Sequence, residues 1–126
     1  MSTLYVKGVL FILAAIYLFL SAVNFWYYPL MFPDYMIHES GHILFRPLGH
    51  FIATLGGSFI QVAVPLFTSF YFLRQGSGFA SAIFFVWAGG SLHYVGWYVS
   101  DAKKMGSDYH MDSVSYHDWS YILNLF

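Results

Sequence analysis

Three stretches of this 126-residue chain, 8–28, 50–73 and 79–100, contain no Asp, Glu, Lys or Arg. A helix of about 20 apolar residues crosses the hydrocarbon layer of a bilayer, and each stretch is long enough to do so. The rest of the composition agrees. The chain is 59% hydrophobic and 23% aromatic but only 9% charged, against about 25% charged in an ordinary soluble domain. The expected fold is all-α: a single membrane domain over 1–126, a polytopic helix bundle with three to four membrane segments.

The first run follows Lys7 and continues to the aromatic cluster "FWYY", which suits the membrane interface. It exceeds the 7–15 residues of a signal-peptide core, and no small-x-small cleavage site follows. It therefore reads as an uncleaved span. Pro29 and Pro33 are expected to end it. A short segment, 34–46, comes next, and then the spans 50–73 and 79–100. A polar tail, 101–118, follows, and the closing "YILNLF" is apolar again, as at the start of a further helix. Pro65 is expected to kink the third segment, and Gln61 needs a partner facing the bundle. The pairs Gly56–Gly57 and Gly89–Gly90 read as close helix contacts, since small residues let helices approach in lipid.

Charge sets further limits. Five basic residues and a net charge of −1 cannot build a phosphate-tracking surface, so nucleic acid is excluded as a partner. Membrane lipids are the expected surroundings. If the short segment crosses, Lys7, Arg46, Lys103 and Lys104 share one side and Arg74 takes the other. If it is re-entrant, Lys7 and Arg74 stand against Arg46, Lys103 and Lys104. The positive-inside tendency favours crossing, with the N-terminus and the Lys103/Lys104 side cytoplasmic. In both arrangements the end of the short segment and the tail share a membrane face.

That short segment carries "HESGH", residues 38–42. On a helix His38 and His42 lie on one face, one turn apart, and can converge on a tetrahedral metal. The chain has no cysteine, so any metal is held by His, Asp or Glu, a donor set that suits zinc. Glu39 lies about 100° round the helix. It can reach a water activated by the metal and act as general base without being a ligand. A charged group in a membrane segment is functional by default. The plainer reading makes these residues interfacial polar groups bonded to their neighbours.

HESGH, with glycine before the second histidine and in a small helical membrane protein, resembles the motif of the site-2-protease-type intramembrane zinc metalloproteases. The resemblance implies His38 and His42 as ligands, Glu39 as catalytic base and a third ligand from a later segment. In that family the third ligand is an aspartate in a Leu-Asp-Gly motif, often preceded by an Asn-x-x-Pro-x-Pro run. This chain has neither. Its nearest counterpart is "HDW", His117-Asp118-Trp119, just before the apolar end. Asp118 is the first choice for third ligand and His117 the alternative, with His110, Asp112, His93 and Asp101 behind them. His50 falls two residues late for a metzincin third histidine, since position 48 is Leu48.

The expected function is a minimal intramembrane zinc metallopeptidase or related hydrolase, acting on a membrane-embedded or juxtamembrane peptide. The alternative is a non-catalytic subunit of a larger membrane complex, its metal site vestigial or structural. Six histidines with one HxxxH spacing are too few for a histidine-box di-iron enzyme. A haem anchor through His50 and His93 is a lesser possibility. His93 is expected to face the bundle, with Gln61 as a candidate partner.

Overall fold

The structure, a computed structural model, describes residues 2–23, 30–104, 118–123 and 125. Helix α1 spans Ser2–Val23, α2 Met31–Phe45, α3 His50–Arg74, α4 Gly78–Lys104 and α5 Asp118–Leu123. A 3-10 turn, Arg46–Leu48, joins α2 to α3. The expected all-helical class holds among the described residues. Within α1, α3 and α4 lie segments long and apolar enough to cross a membrane: Thr3–Leu20, His50–Arg74 and Gly78–Ala102.

Helix α2 starts three residues before the expected Asp34 because Pro33 falls in its first turn, where an amide hydrogen has no intrahelical partner to lose. Pro65 is buried inside α3, and the helix runs past it to Arg74. Gly49 and Gly76 turn the chain at the two ends of α3, with φ of 96° and 75°, values that favour glycine.

The packing inverts the soluble pattern. Large apolar side chains such as Phe11, Phe19, Phe67 and Phe85 are exposed, while the interior holds Asp34, His38, Ser58, Gln61 and Ser91. This is the pattern of bundles in lipid, where helices associate through close packing and hydrogen bonds rather than by hiding apolar surface. Helices α2, α3 and α4 form the packed unit, α5 rests on α3 and α4, and α1 leans on α4. A Cβ on Gly41 of α2 would run into the carbonyl of Gly56 on α3. One on Gly56 would come within 2.5 Å of the Phe45 ring. The first glycine pair thus makes the expected helix contact, whereas Gly89 faces open space. Lower in the bundle Ser69 Oγ lies 2.8 Å from the Ser81 carbonyl oxygen, a donated bond that ties α3 to α4.

Helix directions fix which ends share a face. Lys7 Nζ lies 5.9 Å from the Phe79 ring centroid, at the start of α4. Lys104 closes that 27-residue helix, about 40 Å away at 1.5 Å per residue. Lys7 and Lys104 therefore stand at opposite ends of the bundle. They are thus grouped as in the re-entrant arrangement rather than together at one end. A tally of five charges is a weak constraint beside helix packing. The absence of native cysteine allows a direct check. Single cysteines at positions 7 and 104, labelled with a membrane-impermeant maleimide in sealed vesicles, should react from opposite sides.

Candidate metal centre

Asp34, His38 and His42 recur every four residues along α2, so all three face α3 and α4. Asp34 is 1% exposed. Its Oδ1 accepts from Trp87 Nε1 at 2.7 Å and from Ser91 Oγ at 3.1 Å. Its Oδ2 accepts from Gln61 Nε2 at 3.2 Å. A carboxylate accepts and cannot donate, so the Gln61 amide must turn its NH2 towards Asp34. That leaves Gln61 Oε1 facing His38 Nδ1 at 3.1 Å. An amide oxygen only accepts, so Nδ1 carries a proton, and in the neutral ring the lone pair is then on Nε2.

His42 reaches the same state by a different route. Its Nδ1 lies 2.8 Å from the Ala53 carbonyl oxygen, to which it donates. In the neutral ring its Nε2 also keeps a lone pair. The two rings meet edge to face with centroids 4.7 Å apart. A Cβ on Gly57 would lie 2.7 Å from His42 Nε2 and 2.8 Å from His38 Nε2. The missing side chain of Gly57 is therefore the space in which both nitrogens sit.

Asp118, the first residue of α5, completes the group. Its Oδ2 lies 2.9 Å from His38 Nε2 and 3.1 Å from His42 Nε2. Trp119 Nε1 donates to Ser58 Oγ at 3.1 Å, and the Tyr121 ring meets His50 at 4.5 Å, so α5 is fastened to α3 at two points. The Tyr98 ring stands edge-on to His38 at 6.1 Å, with its hydroxyl hydrogen-bonded to the Asp118 backbone.

Three lone-pair donors thus converge on one point. With both imidazoles neutral, no described residue separates their lone pairs from the carboxylate oxygen, and the contact becomes favourable when a cation, a metal ion or an added proton, lies between them. His38, His42 and Asp118 are one group that could hold a metal ion. A tetrahedral ion with bonds of ~2.0–2.1 Å keeps its donors roughly 3.3 Å apart. The 2.9 and 3.1 Å separations need only a few tenths of an ångström of opening. Protons on the imidazoles are the other way to bridge the gap, and among the described residues Asp118 is the one acid paired with the two rings. The donors present fit a divalent ion.

Glu39 is half-buried and within electrostatic reach of Tyr98. One step round the helix from His38, it stands beside the group rather than in it. A cavity of about 310 Å³ opens next to the site, lined by His42, Arg46, His50, Thr54 and Asp118 among others. Among the described residues the structure gathers no other cluster of this kind. Asp101 is half-buried and outside it. His93 is exposed rather than bundle-facing, and Gln61 bonds His38 and Asp34 instead. His110, Asp112 and His117 lie outside the described residues.

Sequence reasoning missed Asp34 and Gly57, and gave Gln61 a need without the right partner. The repeat of four through Asp34, His38 and His42 was the available signal. Comparison with protein-family models, curated proteins and solved structures returned no match, so the resemblance rests on HESGH and HDW alone. The Gln61 relay makes a prediction. Gln61→Leu removes the acceptor that fixes the His38 tautomer, and should weaken divalent-metal binding by roughly 10–100-fold. Titration of the purified protein with a competing chelator measures this.

Proposed function

We propose that the chain is an intramembrane zinc hydrolase, a peptidase acting on a membrane-embedded or juxtamembrane peptide. One observation carries this reading: two imidazoles with Nδ1 bonded behind and Nε2 turned to one point, a carboxylate oxygen at that point, and a half-buried glutamate one residue from the first ligand. Among the described residues three donors gather, a number that leaves the fourth position of a tetrahedral ion for water, the pattern of catalytic rather than structural zinc sites. Bound there, zinc would polarise a substrate carbonyl and make water a nucleophile at neutral pH.

The chain's own residues supply the remaining work. His38, His42 and Asp118 hold the ion, and Asp34 and Gln61 keep His38 in the required tautomer. Charge balances: a divalent cation is neutralised by Asp118 and Glu39 together, which makes the site tolerable at membrane depth. Glu39 takes the proton from the attacking water on its carboxylate and passes it to the departing amine. The cavity beside His42 and Asp118 admits water and peptide from the end of the bundle where α2 and α4 finish. Arg46, Lys103 and Lys104 lie at that end, against Lys7 and Arg74 at the other, so the positive-inside tendency turns the site towards the cytoplasm.

One observation favours a second reading, a metal-bearing subunit of a larger complex. None of the apolar window in α1 is buried within the chain, which leaves a whole helix for lipid or a partner to cover. Turnover separates the readings. Glu39→Gln should keep stoichiometric zinc and lose about 100-fold or more of peptide hydrolysis, the ordinary contribution of a general base. Zinc retained in both proteins without hydrolysis in either would favour the subunit.

A further inference from the structure

The cavity next to the metal-site residues has one wall with a permanent charge. Arg46 lies four residues beyond His42, in the 3-10 turn that continues α2, so the two side chains rise from the same face about 6 Å apart at Cβ. Both line the cavity. Arg46 is exposed and forms no ion pair with any described residue. Among the described residues Asp118 is the only acid on the cavity wall, and its Oδ2 is turned towards the two imidazoles. The first turn of α3, His50 to Thr54, supplies the adjoining wall, and its N-cap, Gly49, brings no side-chain acceptor to offset the amide end. Ile43 and Ala53 make the rest apolar.

We infer that this cavity is an anion-recognising subsite, and that the substrate presents a carboxylate about one helical turn from the bond that is cut. The inference rests on the hydrolase reading and names its substrate class. A guanidinium matches a carboxylate with two parallel hydrogen bonds and cannot lose its charge. The apolar lining between Arg46 and His42 accepts an apolar side chain. The ligand that offers both features at that spacing is the C-terminal residue of a peptide, apolar with a free α-carboxylate. Cleavage there is hydrolysis of the last peptide bond. Water adds across C–N, the new carboxylate stays on the shortened peptide, and the free amino acid leaves with the proton that Glu39 delivers.

The test uses two probes, a hydroxamate attached to an apolar residue with a free carboxylate and the same compound as its C-terminal amide. Both bind a metal site through the hydroxamate, and they differ only in the anion. Affinities are measured on the zinc-loaded full chain in non-ionic detergent, for wild type and Arg46→Gln. The free acid should bind wild type about tenfold more tightly or better, the scale of a charged hydrogen-bonded pair. That preference should vanish in Arg46→Gln, while amide binding stays unchanged. Equal binding of acid and amide to wild type overturns the subsite and leaves the metal centre standing. Failure of both probes to bind removes the hydrolase reading, and the subsite with it. Displacement of the acid probe by micellar phosphatidic acid but not by a free-acid dipeptide overturns the peptide assignment and makes a lipid phosphate the occupant.

Discussion

Two imidazole nitrogens and a carboxylate oxygen held within about 3 Å of one another need a cation between them, a proton or a metal ion. Most of the packed unit can be read as the means of holding that arrangement in place. The His38 tautomer is set by Gln61, whose orientation is set by Asp34, which is in turn saturated by Trp87 and Ser91. One buried acid thus anchors three helices and decides which nitrogen of a histidine is free. Removing any member leaves a polar group stranded in a low-dielectric interior, at a cost of about 1–3 kcal/mol.

Close approach of α2 and α3 makes the geometry possible. Gly41 lies against the Gly56 backbone, and Gly57 vacates the volume that the two Nε2 atoms occupy. In a bilayer such contacts are the main source of helix association, since the surrounding chains are as apolar as leucine. The third donor arrives from outside this unit. Asp118 begins a six-residue helix held by Trp119 on Ser58 and Tyr121 on His50. The site therefore links the end of the chain to its middle.

Much of this was legible in sequence, for identifiable reasons. Uncharged runs fixed the spans because lipid tolerates little else, and a spacing of four placed His38 and His42 together because that is the pitch of the helix. Asp118 could be singled out because it precedes an apolar stretch, and the structure brings its carboxylate to the two imidazoles. Facing across the bundle was harder to see. His93 looked like a partner for Gln61, yet Trp87 and Ser91 are the residues of α4 turned inward to Asp34. His93, two residues beyond Ser91, is rotated about 200° from it and points out. Asp34 was passed over as the edge of a segment, although it continues the same repeat of four. The end of the bundle at which Lys7 lies follows from packing of α1 on α4, which a count of charges does not register.

The central claim is that His38, His42 and Asp118 share a metal ion. Metal content of the purified full chain, in wild type and in Asp118→Ala, tests it most directly. The account predicts close to one zinc per chain in wild type and loss of most of it in Asp118→Ala, with helical content unchanged. A wild-type protein that binds no divalent metal at saturating concentration, or an Asp118→Ala variant that binds it as tightly, would contradict it.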